Sequence, residues 1–225
     1  MTEDKMEDVL KKAPLFVCLL VLCDLSLLGQ NARLPRIVHS TTEKSAIHTP
    51  PQEAPAGLKK IFSNLSSSKF DVYYDRSGWG IAGPGSGDTE FVSIPFTPKS
   101  DSHVSQVRAA VEYSGRGANQ VNLSIYSGSS GTPGFLLAGP VTVTNLPDEA
   151  TCCALAVANF SPLEVTGGTQ YWLVADTPLS GQGSDFIGAW EFVSKYVPMA
   201  LSIGSGWDPF DANDLPAAEV LGTIP

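Results

Sequence analysis

From residue 60 onward the sequence alternates, and glycine, proline, asparagine or aspartate stops each alternating run after a few residues. That pattern constrains the chain more than any other feature. Val107, Ala109, Val111 and Tyr113 share one face, with Arg108, Ala110 and Glu112 on the other, the period of a half-buried strand. Gly115 and Gly117 punctuate it, and Val121, Leu123 and Ile125 resume the alternation. Residues 127–134 hold three glycines and Pro133 and read as a loop; Val141 and Val143 start another strand, closed at Asn145-Leu146-Pro147. Further strands are expected at 151–158, 170–176, 187–193 and 218–222. In 170–176 both alternating sets are apolar (Tyr171, Leu173, Ala175 and Trp172, Val174), so this strand is expected to be covered on both faces.

About nine strands with turn signals every 8–12 residues predict an all-β fold, an antiparallel β-sandwich of jelly-roll type. The 21 glycines, 17 prolines and 16% charged residues fit many turns and short strands, and 43% apolar residues suffice for a packed core. The formal net charge is −9, and the excess lies wholly from residue 60 onward. Such a domain is not expected to bind nucleic acid, which needs clustered Lys and Arg.

The first 59 residues read differently. Lys11 and Lys12 precede an apolar run over 15–28 broken by the charge of Asp24. It is long enough for the core of a signal peptide and short of the roughly 20 residues that span a bilayer. Residues 1–30 are therefore expected to be a signal peptide or an uncleaved N-terminal anchor, the one route to a membrane. Residues 31–59, with Pro35, Pro50, Pro51 and Pro55 among Ser and Thr, read as a disordered linker. His39 and His48 lie there without a second ligand at metal spacing. Residues 60–225 form the single folded domain, expected to be secreted or held at the cell surface.

Several stretches, taken in order, resemble the choice-of-anchor R domain family of bacterial exported proteins. They are Ile61-Phe62-Ser63-Asn64, Ser77-Gly78-Trp79-Gly80, Ile94-Pro95-Phe96-Thr97-Pro98, Asn119-Gln120-Val121-Asn122-Leu123-Ser124-Ile125-Tyr126 and Gly131-Thr132-Pro133-Gly134. Asn145-Leu146-Pro147, Cys152-Cys153, Gly168-Thr169-Gln170-Tyr171-Trp172-Leu173-Val174-Ala175 and Leu215-Pro216-Ala217-Ala218-Glu219-Val220-Leu221-Gly222-Thr223 complete the set. The resemblance implies a secreted or surface-displayed domain of unestablished activity, often followed by a C-terminal sorting signal. No apolar tail, basic end or sorting motif precedes Pro225, so surface retention is expected to come from the N-terminus or a partner.

Candidate chemistry falls in three places. Cys152 and Cys153 are adjacent and, in an oxidising compartment, can close a vicinal disulfide, either as a rigid or redox-sensitive turn under a ligand or for structure alone. Trp79, Trp190 and Trp207 sit in or beside glycine-rich turns. An exposed indole there can stack on a sugar ring, with Glu191 or Asp208 accepting from hydroxyls; the alternative is core packing. Asp208, Asp211, Asn213 and Asp214 gather oxygen ligands in one expected loop, a candidate calcium site without EF-hand spacing, or an ordinary acidic turn.

Enzyme motifs are missing: there is no G-x-S-x-G, H-E-x-x-H or phosphate loop. The lone domain histidine, His103, is far from either cysteine, and Glu112 is expected to be solvated beside Arg108. The reading is an exported, non-catalytic β-sandwich module for adhesion or binding of surface carbohydrate or other cell-surface components. A purely structural envelope or matrix component is the first alternative, and a carboxylate-dependent glycoside hydrolase the second. Sequons at Asn64, Asn122 and Asn159 matter only in a cell that glycosylates them.

Overall fold

The computed structural model describes residues 36–39, 53–67, 72–149 and 151–225. In chain order the strands are β1 (Ile37–His39), β2 (Lys59–Ser63), β3 (Tyr74–Ala82), β4 (Phe91–Phe96), β5 (Ser102–Ala109), β6 (Val111–Arg116) and β7 (Gln120–Ser129). They continue with β8 (Thr132–Thr144), β9 (Ala156–Val165), β10 (Tyr171–Asp176), β11 (Ile187–Ser202), β12 (Asp208–Pro216) and β13 (Ala218–Thr223). A single 3-10 turn, Pro84–Ser86, is the only helical element among the described residues.

Every paired set of strands is antiparallel. One sheet runs β2-β13-β5-β9; the other contains β4-β10-β7-β8, extended beyond β4 by β11, β3 and β1. Numbering β2, β4, β5, β7, β8, β9, β10 and β13 from one to eight gives sheet orders 1-8-3-6 and 2-7-4-5. That is the double Greek key of a jelly roll. The strands outside it, β1, β3, β6, β11 and β12, all widen the second sheet around the long β11.

Between the sheets lies one apolar cluster. The larger sheet contributes bulk through Ile94, Leu123, Ile125 and Leu173; the smaller answers with Ala109, Ala156, Ala158, Ala218 and the β-branched Val107 and Val220. Large residues facing small ones let two layers close to interior density. Each fully buried Leu or Ile contributes about 1.5–3 kcal/mol. β10 is covered on both faces, as its doubly apolar pattern predicts: Leu173 and Ala175 join this cluster, while Trp172 and Val174 are buried on the opposite face.

Several boundaries differ from the sequence reading. The expected strand over 107–113 is two strands in different sheets, β5 and β6, divided at Ala110. Ala110 makes the crossing without orphaning its backbone, because its N–H donates to Ala217 and its carbonyl accepts from Glu191. Residues 127–134 form a tight hairpin instead of a loop. Ser130 (φ 50°) and Gly131 (φ 85°) both take positive φ, the twist that two-residue hairpin turns require. Cys152 and Cys153 lie in a turn, and β9 begins only at Ala156. The expected acidic loop over 208–214 is strand β12, paired with β11 from Leu201 to Phe192. Proline and aspartate signal turns only where backbone bonding is otherwise unmet, and β11 meets it here.

The linker expectation for 31–59 is also corrected in part. β1 pairs with β3, the Gly80 N–H donates to the Arg36 carbonyl at 2.9 Å, and the Arg36 N–H donates to Glu90 Oε1 at 2.7 Å. His39 hydrogen-bonds the Ser77 hydroxyl at 2.7 Å. Farther on, the Glu53 carbonyl accepts from buried Arg108 at 2.8 Å. The targeting segment 1–30 and His48 lie outside the described residues. No described helix is long and apolar enough to cross a membrane.

Candidate functional site

The residues singled out by sequence do not form one site. Trp79 and Trp190 are cross-strand partners in β3 and β11, 4% and 0% exposed. Their indole N–H groups donate to the carbonyls of Asp214 (2.7 Å) and Ala217 (2.9 Å). Phe210 closes edge-on against Trp79, ring centroids 5.2 Å apart. These two tryptophans therefore bind the β12–β13 segment to the sheet, and neither presents a face to a ligand. Gly78, beside them, has room for no side chain, since a Cβ would come within 2.7 Å of the Trp190 carbonyl oxygen. Trp207 is half-buried in the connection from β11 to β12.

Glu191 is 2% exposed, so it is not a surface acceptor for sugar hydroxyls. Glu112, expected in solvent, is fully buried. It pairs across from Ala189 on β11, two residues from Glu191, so the two carboxylates are diagonal neighbours on one face. Arg108 is not beside Glu112 in space: it lies in the other sheet, paired with Glu219 at 3.2 Å, and Lys60 approaches the same carboxylate at 3.6 Å. Alternation could not find this, because the chain changes sheets at Ala110.

Asp208, Asp211, Asn213 and Asp214 stand along β12. Successive side chains of a strand point to opposite faces, so Asp211 and Asn213 share one face, and Asp208 and Asp214 the other. The latter two are roughly 20 Å apart at the rise of an extended chain. The four are not brought together, and no group of three or more metal-type side chains occurs among the described residues. Of the sequon asparagines, Asn64 and Asn122 are buried, and only Asn159 is exposed.

Cys152 and Cys153 are joined by a disulfide across a cis peptide, their Cα atoms 3.0 Å apart, and both are buried. The turn that holds them hangs on Tyr73. Its hydroxyl donates to the Ala154 carbonyl at 2.9 Å, with the Thr151 carbonyl and Glu112 Oε1 each 3.3 Å away.

Tyr73 leads to the site that the sequence did not reveal. With Asn64, Ser66, Phe192, Val193, Ser194 and Lys195 it lines a cleft of about 370 Å³, within the size range of small-ligand sites. The floor is aromatic and buried, Tyr73 at 5% and Phe192 at 8% exposure. Asn64 is held by two bonds, Nδ2 donating to the Pro216 carbonyl and Oδ1 accepting from the Ala218 N–H. The rim is polar: Ser66, Ser194 and Lys195 are exposed. The rim owes its position to a β-bulge, since the β11–β12 register slips between Ser194 and Val197. Bulges re-aim side chains and cluster beside functional sites. This one carries Lys195 and, next to it, Tyr196, 61% exposed.

On the outer face of β10 a second polar group forms. Asn122 Nδ2 donates to Asp176 at 3.1 Å, and the Thr142 hydroxyl donates to Asn122 Oδ1 at 2.8 Å. Burial pushes the Asp176 carboxyl up to about 6, against the opposing Asn122 bond. Burial, with Asp176 adding to it, also raises the Tyr126 hydroxyl. No family model, curated protein or solved structure matches this chain.

Proposed function

We propose that this chain is an exported, non-catalytic binding module whose ligand, a carbohydrate, docks in the cleft beside the β11 bulge. The observation that carries this reading is the cleft's lining: the buried rings of Tyr73 and Phe192 reach it only at the floor, and its rim offers the hydroxyls of Ser66 and Ser194, with the Lys195 ammonium, to a ligand. Sugars present apolar C–H faces and a ring of hydroxyls, and such a surface complements both. Lys195, exposed on the bulge, adds a donor for sugar oxygens at the rim. Room for about one or two sugar rings fits recognition of a chain end or a short internal segment.

Binding without turnover is favoured because the described residues that line the cleft, Asn64, Ser66, Tyr73, Phe192, Val193, Ser194 and Lys195, include no carboxylate. A glycosidase pair must flank a bound substrate about 5–9 Å apart. Export is supported by the targeting pattern over 1–30. The resemblance to choice-of-anchor R domains points the same way.

The test is a binding panel of cellohexaose, xylohexaose, laminarihexaose and chitohexaose against the chain and its Lys195→Ala variant, which alters an exposed residue of the cleft's lining. Saturable binding to at least one, weakened about tenfold by the substitution at unchanged Tm, is the expected result. No binding by a cooperatively folded sample overturns the carbohydrate reading and leaves the purely structural component as the better account. Release of shorter sugars from any of these oligosaccharides would instead establish the hydrolase.

A further inference from the structure

The hairpin β7–β8 has a composition unlike the rest of the domain. From residue 117 to residue 147 there is no Asp, Glu, Lys, Arg or His, in a chain of net charge −9. Within it Phe135, Leu136 and Leu137 are 84%, 46% and 41% exposed. Three consecutive apolar side chains cannot share one face of a regular strand. Here the register slips between the pairs Ile125–Ala138 and Tyr126–Leu136, and the extra residue breaks the in-and-out alternation. A second slip at Gly139-Pro140 follows.

β8 is also the end strand of its sheet among the described residues. Soluble proteins guard such edges with charges, above all lysine, and seldom leave runs of large apolar residues exposed on them. Pro133, Pro140 and the bulges shorten any backbone ladder along β8, and β9 of the other sheet packs near it, yet Phe135, Leu136 and Leu137 stay exposed. Nothing in the hairpin's own hydrogen bonding requires Phe135 or Leu137 to be apolar.

We propose that this strip is a self-association surface on which a second copy of the chain docks, β8 against β8 about a two-fold axis. Charge selects the occupant. Two copies of an acidic domain repel wherever carboxylates face each other, and this hairpin is a long surface segment where they meet without opposing charges. A two-fold contact brings the same patch to both sides, so Phe135, Leu136 and Leu137 of one copy meet their counterparts in the other, apolar on apolar. A lipid bilayer suits the hairpin less well: its tip, Ser127 to Thr132, is serine, glycine and threonine, and the apolar residues lie behind it on the strand.

This inference is independent of the carbohydrate cleft, which lies between the β2–β3 connection and the middle of β11. Its test is sedimentation velocity on the full chain from about 1 to 200 µM, repeated with Phe135→Glu/Leu137→Glu. The expected result is a monomer–dimer equilibrium whose dissociation constant rises at least tenfold in the variant, with Tm held because both side chains are already exposed. Phe135→Cys should in addition form a disulfide-linked dimer under mild oxidation. A chain that is monomeric throughout, a dimer indifferent to the two glutamates, or a monomer that cosediments with phosphatidylcholine vesicles overturns the proposal.

Discussion

Asp176 shows how one buried group carries a measurable consequence. Its folded pKa, about 6, lies above the ordinary carboxylate value because burial penalises the charged form. The stability that it contributes is therefore fully present below about pH 4 and is lost as pH rises through 6. Asp176→Asn keeps an oxygen acceptor for Asn122 Nδ2 and removes the buried charge. It should stabilise the domain by on the order of 2 kcal/mol at pH 8 and by little at pH 4; urea titrations at the two pH values measure the difference. The two most buried tryptophans offer a second comparison. Trp190 Nε1 donates to the Ala217 carbonyl, whereas Trp172 Nε1 is buried without a partner. Trp190→Phe should cost about 1 kcal/mol more than Trp172→Phe, read from the same titrations.

At the level of strands, β12 and the β11 bulge decide what the surface can do. Because β12 is extended, its four oxygen-bearing residues are spread along and across it; EDTA should leave the Tm unchanged within a degree, and a drop of several degrees would mean that a cation bridges them after all. The strand class of the chain was legible because period-2 patterning survives in β7 and β10 is a short run apolar on both alternating sets, each bounded by turn residues. What was not legible depends on partners far away in sequence. Asp208 to Asp214 is turn-like in composition, and only pairing with β11 makes it a strand. Glu112 appeared solvated because the sequence does not mark Ala110 as the point where the chain leaves one sheet for the other. Trp79 and Trp190 looked like loop platforms because their glycine neighbours suggest turns. Gly78 is instead small because the Trp190 backbone passes against it. The cleft had a faint signal, the Ser194-Lys195-Tyr196 interruption of an otherwise apolar run, but a bulge is visible only against its partner strand.

For the molecule as a whole, the jelly roll separates three surfaces. The smaller sheet carries on its outer side the exposed Lys60 over the buried Arg108–Glu219 pair; the hairpin β7–β8 forms an uncharged edge; and the added strand β11 carries the cleft. Fold alone assigns none of them a role, since sandwiches serve many. The central claim is that the cleft beside the bulge is where a sugar binds. The most direct test is to titrate the isotopically labelled chain with xylohexaose, cellohexaose and chitohexaose in turn and follow backbone amide shifts. The account predicts that at least one moves the amides of Asn64, Ser66 and Val193 to Tyr196 in a saturable way, with Trp207 and β8 unmoved. Saturable shifts centred on Trp207 or on β8, or none with any of the three, would contradict it.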